Sequence, residues 1–334
     1  MRTGTVTLPE GRLETGWWGP GPDDAPTLVL LHEGLGCVEL WRDVPERLAA
    51  ATGWGVFAYS RFGYGQSEPT ALPRPMTYMQ QEALTVLPKV LGAAGIRRAV
   101  LIGHSDGGSI ATVYAGAFPH GSAAATAAPI SPALASPASV SSSSDRARQE
   151  GLVRPFMTVS GGVPQILNGR HDPRSRAQAP SHDPVAAAGE RETVLLGLAT
   201  IAAHFFVEDV NITSIQHIKQ AYETSDLRAR LGRYHRDVDM AFRGWNDAWL
   251  DPRFRAFDIT AFLPEIRVPI LALQGADDPY GSNEQLRVMQ TQVHVPIDVE
   301  LISGARHAPH LEAPEATLSA ITRFIAALAR ENPT

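Results

Sequence analysis

Short continuous apolar runs alternate along the chain with longer segments in which apolar positions recur every three or four residues. Such runs are typical of strands buried on both faces of a parallel sheet, and the longer segments of helices that cover it. The alternating stretch 3–18, broken at Pro9-Glu10-Gly11, predicts two short antiparallel strands ahead of them. The pattern therefore predicts an α/β fold with a mostly parallel central sheet flanked by helices. Further strands are predicted at 27–31, 55–59, 98–102, 193–201, 270–273 and 298–302, and helices at 40–52, 77–92, 109–118, 211–250 and 315–329.

Residues 121–190 interrupt this alternation. They are rich in Ala, Ser and Pro, include four consecutive serines at 141–144, and show little apolar periodicity. A structureless loop of this length is uncommon inside a compact domain. The stretch is therefore predicted to be a long low-complexity insertion, flexible or loosely packed, in a core formed by residues 1–120 and 190–334.

Composition and charge narrow the classes of function. The chain is 44% hydrophobic and 19% charged, with a formal net charge of −6 and no long run of like charges. No basic stripe or cluster indicates binding to nucleic acid or to a membrane surface. No apolar run reaches the roughly 18 residues of a membrane span, and the N-terminal residues lack the pattern of a signal peptide. With Cys37 as its single cysteine, the chain is expected to be cytoplasmic and free of internal disulfides.

The strand predicted at 98–102 runs into Gly103-His104-Ser105-Asp106-Gly107, and a small-residue helical pattern follows. A Gly-x-Ser-x-Gly segment between a strand and a helix forms a tight turn that exposes a nucleophilic serine. The unpaired backbone N–H groups at the start of the helix can face a developing negative charge. This setting makes Ser105 the candidate nucleophile.

Two later strand ends supply the partners that a serine nucleophile needs, namely a base and a group that orients the base. The segment Gln274-Gly275-Ala276-Asp277-Asp278 follows the strand at 270–273, and a segment containing His307 and His310 follows the strand at 298–302. The candidates therefore occur in the chain in the order Ser, Asp, His.

These residues resemble those of the α/β-hydrolase superfamily, whose members have this chain order. The resemblance covers about residues 25–120 and 190–330. It implies the α/β-hydrolase fold, with residues 204–265 as a helical lid or cap. It rests on five segments, which are Leu-Leu-His-Glu-Gly, Ser-Arg-Phe-Gly-Tyr-Gly-Gln-Ser, Gly-His-Ser-Asp-Gly-Gly, Gln-Gly-Ala-Asp-Asp and the region around His307.

The resemblance also implies a role for each candidate catalytic residue. Ser105 attacks an acyl carbonyl, His307 takes and returns the proton, and Asp278 orients His307. The acid of the superfamily usually lies three residues after a glycine at the strand end, and Gly275 selects Asp278 by this rule rather than the aspartate before it. The histidine commonly has an acidic residue five positions later, and Glu312 fits this spacing.

Backbone N–H groups are expected to form the oxyanion hole. The N–H of Asp106, directly after the nucleophile, is one donor. The other lies after the strand at 27–31, where the superfamily often has His-Gly and this chain has His32-Glu33-Gly34. The matching donor is the N–H of Gly34, with that of Glu33 as the alternative. A carboxylate aimed at the oxyanion would oppose catalysis, so the side chain of Glu33 is expected to point away or to pair with a cation.

Five side chains are candidates for the substrate pocket: Glu33, His204, Trp245, Trp249 and His310. The two tryptophans are four residues apart and share one helical face, which fits either helix packing or an apolar lid. His204 follows a predicted strand, and His310 is also the alternative general base. No metal-binding spacing is present, and the resemblance implies no cofactor.

The resemblance implies a serine hydrolase of carboxylesterase type. It would cleave a carboxylic ester or related acyl bond of a small, moderately apolar substrate through an acyl-enzyme. Carbon–carbon bond hydrolases, lactonases and aminopeptidases use the same apparatus, because the fold does not determine the substrate. A receptor-like ligand-binding protein and an inactive member, whose site the insertion blocks, are further alternatives. The expected partner is a small-molecule ester or acyl compound, not nucleic acid or membrane, and the chain is expected to be a monomer or a homodimer.

Overall fold

One sheet of eight strands organises the described residues, which are 1–119 and 192–331 of the computed structural model. Its strands are β1 (Arg2–Leu8), β2 (Gly11–Trp18), β3 (Thr27–Leu31), β4 (Gly55–Tyr59), β5 (Arg98–His104), β6 (Val194–Ile201), β7 (Ile270–Gly275) and β8 (Ile297–Ile302). Their order across the sheet is β1-β2-β4-β3-β5-β6-β7-β8. β1 pairs antiparallel with β2, and β2 with β4, whereas every pair from β4 to β8 is parallel. The predicted fold class, an α/β fold with a mostly parallel sheet, is confirmed.

The continuous apolar runs are explained by burial on both faces of the sheet. Every residue of β3 and of β4 is buried. Because side chains alternate along a strand, Leu28 and Leu30 contribute to the hydrophobic core on one face, and Val29 and Leu31 to the core on the other. Burying each such side chain stabilises the fold by about 1.5–3 kcal/mol, which favours an apolar residue at every position of these strands. The resulting apolar runs can therefore be recognised in the sequence alone.

Helices cover both faces of the sheet. They are α1 (Val44–Thr52), α2 (Tyr78–Gln81), α3 (Leu87–Ala93), α4 (Asp106–Ala117), α5 (Asp209–Thr224), α6 (Leu227–Leu231), α7 (Val238–Leu250), α8 (Glu284–Gln292), α9 (Pro309–Glu312) and α10 (Pro314–Glu331). Short 3-10 turns cover Val38–Trp41, Pro252–Ala256 and Thr260–Glu265, and a π-helical turn covers Glu82–Val86.

Two helical stretches predicted as continuous are divided in the structure. The stretch 77–92 consists of α2, the π-helical turn and α3. Pro88 lies in the first turn of α3, where its missing N–H costs no helical hydrogen bond. The stretch 211–250 consists of α5, α6 and α7, because the backbone becomes extended at Ser225 and again at Asp237.

The parallel strands bring their carboxyl ends to one edge of the sheet. The loops after β3, β5, β6, β7 and β8 carry the candidate residues of the site, as is general for ligand sites of α/β sheets. No helix of residues 1–119 and 192–331 is long and apolar enough to cross a bilayer. The predicted insertion at 121–190 lies outside the described residues, so the domain boundaries remain predictions.

Candidate active site

Ser105 occupies a sharp turn between β5 and α4. Its backbone has φ 51° and ψ −119°, a conformation that costs energy for a residue with a side chain. The flanking glycines allow this turn to pack closely. A Cβ at Gly103 would overlap the carbonyl of Gly107, and a Cβ at Gly107 would overlap the carbonyl of Leu31. The Gly-x-Ser-x-Gly spacing therefore holds Ser105 at the carboxyl end of β5.

Asp278 and His307 follow β7 and β8 and are in direct contact. Nδ1 of His307 lies 2.9 Å from Oδ1 and 3.0 Å from Oδ2 of Asp278, whose side chain is 2% exposed. Burial alone would raise the pKa of Asp278, but the hydrogen bond and the charge of His307 outweigh it and lower the pKa. The acid is therefore ionised. The neighbouring Asp277 is exposed.

A cavity of about 220 Å³ adjoins this pair. It is lined by Glu33, Gly34, Leu35, His104, Ser105, His204, Asn211, Ile215, Trp245, Trp249, Tyr280, His307 and Ala308. Ser105 and His307 thus face the same space. Four of the five predicted pocket residues, Glu33, His204, Trp245 and Trp249, also belong to this wall, whereas His310 does not.

Arg61 determines the course of the loop after β3. Its guanidinium is buried and donates from Nη1 to the carbonyl of His32 at 2.5 Å and from Nη2 to the carbonyl of Glu33 at 3.0 Å. The C=O and N–H of one trans peptide point in opposite directions. Anchoring the carbonyl of Glu33 therefore turns the N–H of Gly34 away from Arg61.

The tryptophans of α7 connect this loop with the start of α4. Nε1 of Trp249 donates to Oδ1 of Asp106 at 3.2 Å and to the hydroxyl of Tyr78 at 3.1 Å, and that hydroxyl donates to Oδ2 of Asp106 at 2.5 Å. Burial raises the pKa of Asp106, although nearby charge and hydrogen bonds oppose it. Trp245 packs directly on Gly34, where a Cβ would overlap the indole nitrogen. Both tryptophans thus pack against the core and line the cavity.

Two buried histidines have different surroundings. The ring of His204 stacks on that of His307, with centroids 5.7 Å apart, and burial lowers the pKa of His204 to about 3. His204 is therefore neutral. His310 packs against Trp41 and His104 at centroid distances of 5.1 and 4.7 Å, and burial lowers its pKa well below the usual range.

The carboxylate of Glu33 lies beside His104, with Oε2 3.5 Å from Nδ1. Its side chain is 30% exposed. Burial would raise the pKa of Glu33, but the hydrogen bond and charge of His104, together with His32, lower it. Glu33 is therefore ionised and has a basic side chain as its neighbour.

Sequence analysis did not identify Tyr280 and Asn211 as part of the wall. The ring of Tyr280 lies 4.5 Å from that of His307, and Nδ2 of Asn211 donates to the carbonyl of Tyr280. The position of Tyr280, two residues after Asp278 in the same loop, was the available signal. The sequence gives no such signal for Asn211, because its contact with Tyr280 depends on how α5 packs.

Comparisons with known proteins agree with the fold described above. The family model described as alpha/beta hydrolase fold matches residues 26–314. A carboxylesterase structure from the thaumarchaeon Nitrososphaera gargenis is 14% identical, with a TM-score of 0.60 and coverage of 98% of this chain and 100% of that one. Naproxen esterase (carboxylesterase NP) from Bacillus subtilis is 17% identical, with a TM-score of 0.57 and coverage of 97% and 90%.

A curated human relative, (Lyso)-N-acylphosphatidylethanolamine lipase, is 30% identical over 115 residues. This match covers 34% of the chain and about a third, 33%, of the relative's length, so it does not extend to the whole of that enzyme. The family model, in contrast, covers strands β3 to β8, the serine turn and the loops that carry Asp278 and His307. The chain belongs to the alpha/beta hydrolase fold family.

Proposed function

We propose that the protein is a serine hydrolase that cleaves a carboxylic ester or a related acyl bond of a small, moderately apolar substrate. One observation carries the proposal: Ser105 lines the same cavity as His307, whose Nδ1 is hydrogen-bonded to the buried Asp278. The proposed nucleophile, orienting acid and base thus follow the carboxyl ends of β5, β7 and β8. The esterase and lipase names of the relatives are consistent with it.

The mechanism follows from the proton positions. With Nδ1–H of His307 donated to Asp278, Nε2 is free to accept the hydroxyl proton of Ser105 as Oγ bonds to the acyl carbon. The bond to the leaving alcohol then breaks, and His307 returns the proton to that alcohol. A water molecule, deprotonated by His307, attacks the acyl-enzyme and releases the acid and Ser105.

The N–H groups of Gly34 and Asp106 are the proposed donors to the tetrahedral oxyanion. The peptide orientation imposed by Arg61 supports the role of Gly34, and the position of Asp106 as first residue of α4 supports its own. Each such donor contributes about 2.7–4 kcal/mol to lowering the barrier.

The cavity favours a substrate with a small acyl group. Its volume of about 220 Å³ is below the roughly 300–1,000 Å³ of sites for drug-sized ligands. Its apolar lining includes Trp245, Trp249, Ile215 and Tyr280. Short-chain esters are therefore the preferred test substrates.

The test combines p-nitrophenyl esters of increasing acyl length with labelling by a fluorophosphonate probe. Wild-type protein should hydrolyse the short esters and take up the label. Ser105→Ala should lose roughly a thousandfold or more of kcat and all labelling. Ser319→Ala, at an exposed serine on α10, is the matched control and should retain both. Full turnover in Ser105→Ala, or a folded wild-type protein that neither turns over nor labels, would reject the proposal, and the latter would favour a binding role.

A further inference from the structure

His104 connects two loops of the site in a way that the reaction above does not use. Its ring is buried between Glu33, which follows β3, and His307, which follows β8. Nε2 of His104 lies 2.8 Å from the backbone carbonyl oxygen of His307. Nδ1 lies 3.5 Å from Oε2 of Glu33. His104 also directly precedes Ser105, so these contacts connect the ends of β3, β5 and β8.

The hydrogen-bond partners of His104 indicate where its protons are. A carbonyl oxygen only accepts, so Nε2 of His104 must donate to His307. A neutral ring would then present a bare lone pair at Nδ1 to the carboxylate of Glu33, which also only accepts. Among the described residues, Nδ1 is buried without a hydrogen-bond partner, and the Glu33 carboxylate lies beside it at ion-pair distance. The contact is favourable when Nδ1 also carries a proton.

Of the titratable groups that face His104 in the described residues, Glu33 is the one that supplies a negative charge. The rings of His307 and His310 face it at centroid distances of 5.1 and 4.7 Å. Burial and the charge of His104 lower the pKa of His310, which is therefore neutral. Glu33 is ionised, since its pKa is lowered. A buried cation is tolerated when it is paired, and Glu33 is placed to pair with it.

The backbone around His307 is also held from its other side. Oε2 of Glu312 accepts the N–H of Arg306 at 2.7 Å and that of Ala308 at 3.3 Å. His104 holds the carbonyl between these two N–H groups. The imidazole of His307 is thus placed by its backbone as well as by Asp278. A small displacement of a catalytic base can cost on the order of a hundredfold in rate.

We propose that Glu33 and His104 form a positioning pair for His307. In this pair the Glu33 carboxylate keeps a proton on Nδ1 of His104 while Nε2–H of His104 holds the carbonyl of His307. The kinetic consequence rests on the proposed serine hydrolase function, whereas the protonation of His104 does not. The pair also explains the departure from the superfamily's His-Gly segment, because the residue in place of glycine is the partner of His104.

The first test is nuclear magnetic resonance of protein labelled with nitrogen-15 in its histidines. The signals of His104 are assigned by their loss in His104→Phe. Near neutral pH, wild-type protein should show both ring nitrogens of His104 protonated, and Glu33→Gln should convert the ring to the neutral form with Nδ1 unprotonated. Glu39→Gln, at an exposed glutamate after the same strand, should change nothing. A neutral His104 in wild-type protein, or a cationic one that persists in Glu33→Gln, would overturn the proposal whether or not esters are hydrolysed.

The second test is a double-mutant cycle on ester hydrolysis. His104→Phe keeps the ring and removes the donor, and it should lower kcat on the order of tenfold or more with KM changed by less than about twofold. His104→Gln offers an amide donor and should recover part of the loss.

Glu33→Gln should lower kcat in the wild-type background and have no further effect when combined with His104→Phe. Additive losses, or a rise in KM at unchanged kcat, would show that Glu33 acts independently of His104 and would reject the pair. Thermal unfolding checks that each variant is folded. If His104→Phe does not fold, His104→Gln serves as the second background, because it also lacks the Nδ1 proton.

Discussion

Among single residues, Gly34 offers the most direct test of the proposed oxyanion hole. Arg61 orients its N–H, and the indole of Trp245 fills the space where a side chain would stand. Gly34→Ala therefore forces either the loop or Trp245 to move, which displaces the donor. We expect kcat/KM for p-nitrophenyl butyrate to fall on the order of a hundred- to a thousandfold, the loss seen when one oxyanion donor is removed.

The control for this substitution is Gly4→Ala in β1. A Cβ at Gly4 would meet Oγ1 of Thr15 at 3.4 Å, an ordinary contact, so its kinetics should equal those of wild-type protein. Unfolding curves separate a local defect at Gly34 from a loss of fold. Wild-type kcat/KM in folded Gly34→Ala would remove the N–H of Gly34 from the mechanism.

His204 couples the site to the acid stability of the protein. Its pKa is lowered to about 3 by burial, compared with about 6.5 in an unfolded chain. The stability due to its neutral form is therefore fully present above about pH 6.5 and is lost as the pH falls toward 3. His204→Phe keeps a ring against His307 and removes this titration.

We expect His204→Phe to flatten the fall of the unfolding free energy below pH 6.5 by up to about 1.4 kcal/mol per pH unit. The dependence of the unfolding free energy on pH should not vanish, because burial also lowers the pKa values of His32, His235 and His310. Urea unfolding between about pH 7 and pH 4.5 measures it. His217→Gln, at an exposed position of α5, should leave the slope unchanged. Equal slopes for His204→Phe and wild-type protein would contradict the prediction.

Secondary-structure elements position the loop that carries the acid. The carboxylate of Glu208, before α5, accepts the N–H of Ser282 at 3.1 Å and Nε2 of Gln285 at 2.8 Å. One turn later, Nδ2 of Asn211 donates to the carbonyl of Tyr280. The start of α5 thus fastens the segment between Asp278 and α8.

Asn211→Leu tests this attachment. Asn211 is fully buried, and a leucine of similar size leaves the carbonyl of Tyr280 without its donor. An unsatisfied buried group costs about 1–3 kcal/mol, so the free energy of unfolding should fall by that amount. Because Tyr280 contacts His307, kcat should fall as well. Thr213→Ala, on the exposed side of α5, is the control. Unchanged stability and kcat in Asn211→Leu would show that α5 does not hold the loop.

Elements that are buried on all sides were easier to predict from the sequence than elements that are partly exposed. β3 is a continuous apolar run because both of its faces are covered, and it was predicted with its observed bounds. In α8, by contrast, the buried residues are Gln285, Leu286 and Met289. One of these three buried residues is polar, and the other positions of the helix are half-buried or exposed, so its pattern gives little helical signal and the helix was not predicted.

At the scale of the whole molecule, the sequence predicts topology better than it predicts side-chain contacts. Strand and helix alternation implies a parallel sheet, and a parallel sheet brings Ser105, Asp278 and His307 to one edge whatever their separation in the chain. The contact of Glu33 with His104 depends on side-chain direction at two neighbouring strand ends, which no spacing rule encodes. The cavity volume depends equally on how α7 packs over the loop after β3.

The charge of the site leads to a prediction about substrates. Among the described residues that line the cavity, none is Lys or Arg, and His204 is neutral because burial lowers its pKa. The charge of Glu33 lies against His104, and Asp278 adds a negative charge beside His307. The chain as a whole carries a formal net charge of −6. An anionic acyl group would therefore lose its hydration without gaining a cationic partner.

We expect the protein to discriminate between esters that differ in charge at nearly equal size. The mono-p-nitrophenyl ester of glutaric acid, with a free carboxylate, should have a kcat/KM at least about tenfold below that of p-nitrophenyl pentanoate, since the desolvation of an unpaired carboxylate opposes binding. Raising the ionic strength from about 0.01 M to about 1 M shortens the screening length from about 30 to about 3 Å. High salt should narrow the difference in kcat/KM between the two esters without removing it. Screening weakens the long-range field of the chain, but it does not supply a cationic partner in the cavity. Equal kcat/KM values at low salt would contradict the prediction and show that a cation reaches the acyl group, either His104 in the wall or a residue outside the described wall.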